Sequence, residues 1–422
     1  MEKIYYIDGS EVKEFLSEGK AAVPGVAYEW EGEDVMHLHL RPLEHSYGQR
    51  QSVLFVHGQR PCADADTDFT VCVADDGTCT VWTSGAADGV QTQTIPAKEN
   101  LYSRNHGILE LGILENKRVM IVGLGSFGSQ IAIELAKAGV GHFSLMDFDR
   151  VELHNLARHT ATTQDLGRLK TNIIRDAILG KNPYAHVDLF PIDINQHLET
   201  ILVECRKADL VICATDNNHS RINISQALIS TQTPGIFGSA LTRAEGGCVF
   251  HYQPGGPCYN CFIGNGLITG AMEEVSSVEA GRRSGQIAAY TSPEDANAVV
   301  QVGLSADIEP ICNMVVKLAL VELSRGAESG ISSLEKELVF PAYLWVNRRE
   351  RHFLRFASFA NPGNRPTIMR WYGISMQKDE NCVLCGEKHK FTVEQDLLDD
   401  MGVTMEDLQA QNADLDQTLA EL

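Results

Sequence analysis

Arg118-Val119-Met120-Ile121-Val122-Gly123-Leu124-Gly125-Ser126-Phe127-Gly128-Ser129 reads as a short apolar strand that runs into a glycine turn and then a helix. The spacing is G-x-G-x-x-G directly after the strand. In that pattern the first glycine permits the tight turn. The second lets the backbone approach a phosphate, and the third allows close packing of helix on strand. The N-terminus of the helix offers unpaired N–H groups to an anion. Helical spacing continues from Ser129 to Lys137, with Ile131, Ile133, Leu135 and Ala136 at apolar positions. His142 to Met146 reads as the next strand, and Asp147 at its end stands where an acid can bind a ribose hydroxyl. Taken alone, this motif fits NAD, FAD, a methyl donor or ATP.

Working outward, strand and helix signals alternate from Leu101 to about residue 325, with further strands at Asp209–Ala214 and Thr233–Gly238. That alternation predicts an α/β fold: a Rossmann-like, doubly wound, mostly parallel sheet over residues 98–390. Residues 1–97 read as an N-terminal accessory domain, α+β or β-rich, with strands around Ser52–Val56 and Phe69–Val73. The polar stretch Val90–Glu99 reads as a linker. Residues 391–422 predict an acidic helical tail, since residues 394–422 hold nine acidic residues and no Lys or Arg. Leu397, Leu398, Met401, Met405, Leu408, Leu415 and Leu419 are spaced as on amphipathic helices, either a docking element or a solvated appendage.

The bulk properties set the outer limits. A chain of 422 residues with 44% hydrophobic and 22% charged residues can bury a sizeable core. No stretch approaches the ~20 apolar residues a membrane helix needs. No apolar signal region opens the chain, so a cytoplasmic location is expected, with the eleven cysteines reduced or metal-bound rather than in a disulfide framework. The formal net charge of −21 repels phosphate backbones, which argues against nucleic acid as a partner.

Chemistry gathers after Asp147. Asp149, Asn155, Arg158 and Lys170 follow within one segment. Arg can clamp phosphate oxygens in a fork, Lys can place a point charge on them, and Asn can hydrogen-bond a phosphate or ribose. A dehydrogenase has no need of these three here, whereas a nucleoside triphosphate does; each alone also reads as a solvated surface group. Asp216 follows the apolar strand 209–214 at its carboxyl end, where open α/β sheets place ligands, and a carboxylate there suits Mg²⁺. Cys258-Tyr259-Asn260-Cys261 and Cys382-Val383-Leu384-Cys385 each place two thiolates at a spacing that reaches one tetrahedral Zn²⁺. Four filled positions make such a site structural; reduced, unliganded cysteines are the plainer alternative.

Gly123 to Gly128, Asp147-Phe148-Asp149, Asn155-Leu156-x-Arg158, Gly167-x-x-Lys170, Ala214-Thr215-Asp216-Asn217 and the two C-x-x-C pairs occur in one order. Over residues 101 to 386 the chain resembles the ThiF/HesA/MoeB adenylyltransferases, relatives of the ubiquitin-activating enzymes. The resemblance implies ATP, Mg²⁺ and Zn²⁺, with the glycine turn, Asp147 and Asp149 at the nucleotide. It implies Arg158 and Lys170 at the phosphates with Asn155 beside them, and magnesium on Asp216. Leu101-Tyr102-Ser103-Arg104 is similar to the family's tyrosine-x-arginine motif, which implies a homodimer with Arg104 reaching the neighbouring subunit's nucleotide. The implied partner is a ubiquitin-like protein, or a peptide, with a C-terminal carboxylate to be adenylated. A conjugating enzyme or a sulfur donor would then receive the acyl group. Adenylation of a ribosomal precursor peptide and a catalytically inactive binding scaffold are the alternatives. The segment 264–300 resembles the family's crossover loop over the substrate tail. The chain departs from the thioester-forming members, since residues 262–311 hold no cysteine and Val302 stands where smaller members place one. Cys312 reads as a buried structural thiol.

Overall fold

The computed structural model describes residues 3–30, 32–43, 48–58, 67–83, 88–95, 101–264, 303–348 and 368–386, with a few single residues between 265 and 302. The chain divides into two units, Met1–His106 and Gly107–Leu422. The expected crossover segment, Val302 and the acidic tail fall outside the described residues, apart from those single positions.

In the first unit β1 (Ile4–Asp8) leads into α1 (Gly9–Glu18). Asp8 caps the helix by accepting the Ser10 N–H, and Gly19 ends it in the left-handed conformation. There follow β2 (Ala22–Trp30), β3 (Val35–His39), β4 (Gln49–His57), β5 (Phe69–Val73), β6 (Cys79–Thr83), β7 (Val90–Gln91) and β8 (Gln93–Ile95). They form one mixed sheet in the order β7-β6-β5-β4-β2-β3-β1-β8. Alternate residues Met36, Leu38, Val53, Phe55, Val71 and Val73 point to the face that Val12 and Phe15 of α1 cover. The stretch expected to be a linker is instead both borders of this sheet, with β7 on β6 and β8 on β1. Its polar residues suit that position, because a border strand pairs on one side only. Residues 96–99 are not among those described.

The second unit carries β9 (Arg118–Val122), α2 (Ser126–Ala138), β10 (His142–Met146), α3 (Lys170–Leu179), β11 (His186–Phe190), α4 (Leu198–Lys207), β12 (Leu210–Cys213), α5 (Asn218–Thr231), β13 (Gly235–Ala240), β14 (Gly246–Tyr252), α6 (Tyr259–Gly264), α7 (Ser305–Leu323), β15 (Ala342–Val346) and β16 (Arg370–Ile374). The sheet order is β11-β10-β9-β12-β13-β14-β15-β16. The first five are mutually parallel, and the last three continue antiparallel from β13. The sheet is doubly wound. Val119 and Ile121 of β9 face a core built with α2, α3 and α7, while Met120 and Val122 face one built with α4, α5 and α6. Both faces are covered, which is why the strands read as unbroken apolar runs. The chain reverses its direction of winding between β9 and β12, so the loops after these two strands flank the crevice where such sheets bind ligands. No helix among the described residues is long and apolar enough to cross a membrane.

Candidate functional site

The three glycines of the turn after β9 answer to different constraints. Gly123 has φ +86°, and a Cβ there would come within 2.8 Å of the Ala214 carbonyl oxygen. A Cβ on Gly128 would come within 1.9 Å of the Gly123 carbonyl oxygen, so its absence lets α2 close onto the turn. At Gly125 a Cβ would meet nothing within 4 Å. No protein packing asks for a glycine at that point, which leaves room for a group to approach the backbone. Gly125 is also the N-cap of α2 and has no side chain to cap its first N–H groups. The residues present therefore fit a bound phosphate.

Asp147, at the end of β10, ties this turn to its own loop. One carboxylate oxygen accepts the Leu124 N–H at 2.7 Å and the other accepts the Asp149 N–H at 2.8 Å. Burial pushes its carboxyl up, while Lys170 opposes the shift. Lys170 opens α3 and is buried, with Nζ donating to Asp149 Oδ2 at 2.9 Å. Burial disfavours its charge, but Asp147, Asp149 and Asp216 outweigh burial and raise its pKa. One ammonium thus sits in the field of three carboxylates from the loops after β10 and β12. Asp216 itself is exposed, with one oxygen accepting from Asn217 Nδ2 at 3.3 Å. Asn217 Oδ1 caps α5 through the Ser220 N–H at 2.9 Å.

Asn155 lies on a short 3-10 turn, where its Oδ1 accepts the Glu152 N–H at 3.0 Å. Its carbonyl side is committed to shaping this turn. Arg158 follows, half-buried. Arg104 belongs to the first unit and is exposed there. Two residues not singled out from the sequence also shape the site. His159 is buried, with Nε2 2.8 Å from the Leu124 carbonyl oxygen and Nδ1 accepting the Ala161 N–H at 2.9 Å. It therefore joins the segment bearing Arg158 to the glycine turn. Arg221, on the first turn of α5, donates Nε–H and Nη2–H to the Thr215 carbonyl oxygen at 3.1 and 2.6 Å. In sequence each passes for an ordinary polar residue, and only the fold reveals its partner.

The four expected metal-binding cysteines come together. All four sulfurs of Cys258, Cys261, Cys382 and Cys385 lie within 4.8 Å of one another. The separations are 3.5 Å for Cys258–Cys382, 3.4 Å for Cys261–Cys385 and 3.8 Å for Cys258–Cys261. Four sulfurs about 2.3 Å from a tetrahedral zinc stand roughly 3.8 Å apart, so the set fits Zn²⁺. Burial pushes the Cys258 and Cys385 thiols up. At Cys382 burial is outweighed by the N–H groups of Cys385 and Leu384 and the Asn260 amide, which bring the thiol down to about 6. Cys312, by contrast, is buried on α7 and pushed up to about 12 by burial.

The chain is 32% identical over 200 residues to the molybdopterin-synthase adenylyltransferase of Escherichia coli, a stretch covering 44% of this chain and 79% of that protein. It is 34% identical over 178 residues to the adenylyltransferase and sulfurtransferase MOCS3 of Drosophila willistoni, covering 41% of this chain and 38% of the relative. Among solved structures, E. coli MccB superimposes with a TM-score of 0.48 at 18% identity, over 69% of this chain and 73% of that one. The sequence profile of the ThiF family matches residues 101–341, from ahead of the glycine turn to the threshold of β15. With that match spanning more than half of its length, and with the turn, the acids and Lys170 lying inside it, the chain belongs to the ThiF family.

Proposed function

We propose that this chain is an adenylyltransferase. It joins the C-terminal carboxylate of a ubiquitin-like or sulfur-carrier-type protein to the AMP moiety of ATP and releases pyrophosphate. The observation that carries the reading is the buried Lys170 ammonium held by Asp149, on the loop that Asp147 ties to the glycine turn. The names of the adenylyltransferase relatives support it.

In this reading the phosphates lie over Gly125 and the N-terminus of α2, and Asp147 orients the ribose. Lys170 and Arg158 hold the phosphate oxygens. The carboxylate of the substrate attacks the α-phosphorus in line, and the P–O bond to pyrophosphate breaks. The contribution of the chain is positioning and fixed charge rather than covalent chemistry. Asp216 would hold magnesium, which when bound would supply positive charge to the phosphates. Zinc in the four-cysteine cluster would be structural. We further propose a cytoplasmic homodimer in which Arg104 reaches the nucleotide of the neighbouring subunit. Residues 262–311 hold no cysteine and Cys312 is buried, so that segment offers no evident thiol for a thioester step.

The test is ATP–pyrophosphate exchange by the full-length chain, with small β-grasp proteins ending in a free carboxylate as substrates. Exchange that depends on the protein substrate and is abolished by Asp216→Ala, with unchanged circular dichroism, is the expected result. Wild-type exchange by Asp216→Ala would remove Asp216 from the mechanism. Exchange with short peptides only would replace the substrate class.

A further inference from the structure

We propose that Arg221 is a positioning residue for the Asp216 carboxylate, and that Tyr259, set between two of the metal-binding cysteines, locks Arg221 in place. The inference deepens the reading of Asp216 as the magnesium ligand and rests on it. Arg221 lies half-buried on the first turn of α5, and two of its N–H groups converge on the carbonyl oxygen of Thr215, the residue before Asp216. That contact fixes the plane of the Thr215–Asp216 peptide. It therefore sets the direction in which the exposed Asp216 side chain leaves the end of β12. A third donor, Nη1–H, points to the Tyr259 hydroxyl oxygen at 3.4 Å, and that hydroxyl donates to Asn218 Oδ1 at 2.9 Å.

Tyr259 has little freedom to move away. Its ring stacks on Phe237 of β13 at 4.8 Å and meets Phe250 edge-on at 6.1 Å. Its main-chain N–H donates to Ser225 Oγ of α5 at 3.2 Å, and the cysteines on either side of the Tyr259–Asn260 pair belong to the sulfur cluster. The cluster thus holds α6, α6 holds Tyr259, Tyr259 holds Arg221, and Arg221 holds the peptide that carries Asp216. The choice of arginine is informative. A guanidinium can aim two N–H donors at one carbonyl and a third at the Tyr259 hydroxyl, a fixed fork that shorter neutral donors lack. Residues that orient a metal ligand from behind commonly matter nearly as much as the ligand itself.

The test uses the full-length zinc-loaded chain, with Mn²⁺ as the probe cation and α,β-methylene-ATP as the nucleotide, and reads Mn²⁺ affinity by electron paramagnetic resonance. Arg221→Met is expected to weaken Mn²⁺ binding roughly tenfold, with Arg221→Lys recovering part of the loss. Tyr259→Phe, which keeps the ring and its packing, is expected to weaken it by a smaller factor. Zinc content, melting temperature and metal-free nucleotide affinity should stay at wild-type values in Tyr259→Phe. Wild-type Mn²⁺ affinity in Arg221→Met overturns the proposal. So does a loss of metal-free nucleotide affinity in Tyr259→Phe equal to its loss of Mn²⁺ affinity, since that marks a general packing role. Asp216→Asn separates the two levels. If it removes Mn²⁺ binding while Arg221→Met does not weaken it, only the positioning role fails. If it binds Mn²⁺ like wild type, the reading of Asp216 fails and takes this inference with it.

Discussion

The imidazole of His159 bridges two backbone groups, with Nε2 2.8 Å from the Leu124 carbonyl oxygen and Nδ1 accepting the Ala161 N–H at 2.9 Å. Both bonds require the neutral ring, protonated on Nε2 only. Burial lowers its pKa below the ordinary 6.5, and nearby Lys170 lowers it further, while the Leu124 bond and Asp165 oppose the shift. A group with a depressed folded-state pKa of this kind binds its proton more readily when unfolded. Its contribution to stability is therefore complete above about pH 6.5 and declines as pH falls toward the lowered value. We expect the melting temperature and ATP affinity to fall between pH 7.5 and 5.5, and to fall less in His159→Gln, which keeps a donor for Leu124. Identical pH profiles for the two proteins would show that this ring does not govern the turn.

Gly125→Ala and Gly128→Ala should fail in different ways. A methyl at 128 runs into the Gly123 carbonyl oxygen, so that variant should lose on the order of 3 kcal/mol of stability or not fold at all. A methyl at 125 meets no protein atom within 4 Å, so its melting temperature should move by only a few degrees while ATP affinity falls at least tenfold. Calorimetric unfolding and ATP titration of both variants check this.

Lys170→Met replaces a buried ammonium by a side chain of similar length. Asp149 loses its ion-pair partner, and Asp147 loses a neighbouring positive charge. We expect roughly a hundredfold loss of ATP affinity, about 2.7 kcal/mol, measured by isothermal titration. Binding within threefold of wild type would place the triphosphate elsewhere.

The sulfur cluster should hold about one zinc per chain, and Cys258→Ser should lose it, as read by elemental analysis. Because the thiolates must be free of protons to bind, zinc release should accelerate as pH falls. Purified wild-type protein without zinc would refute the assignment.

What the sequence reveals about this fold is local. The glycine turn, Asp147, Lys170 and the paired cysteines stand out by their spacing, and the fold brings the four cysteines into one cluster. His159 and Arg221 are illegible, because an isolated histidine or arginine looks alike on a surface and against a carbonyl. His159 meets Leu124 only because β9 and β10 lie side by side, whereas Arg221 meets Thr215 only through the way β12 turns into α5. The stretch from Val90 misleads for the opposite reason. Its polarity suggests a connector, yet a border strand needs no apolar side chains to complete a ladder. Asn155 lies where a phosphate ligand is expected, but its carbonyl is already used in holding its own turn.

The bond network crossing from Cys258 and Cys261 to Cys382 and Cys385, together with the ladder of β14 on β15, spans the segment between α6 and α7. A protease cut inside residues 265–302 would consequently leave two pieces that still share a core, and they should elute from a sizing column as one particle. The same property makes that interval a natural place to divide the protein into separately expressed halves that reassemble.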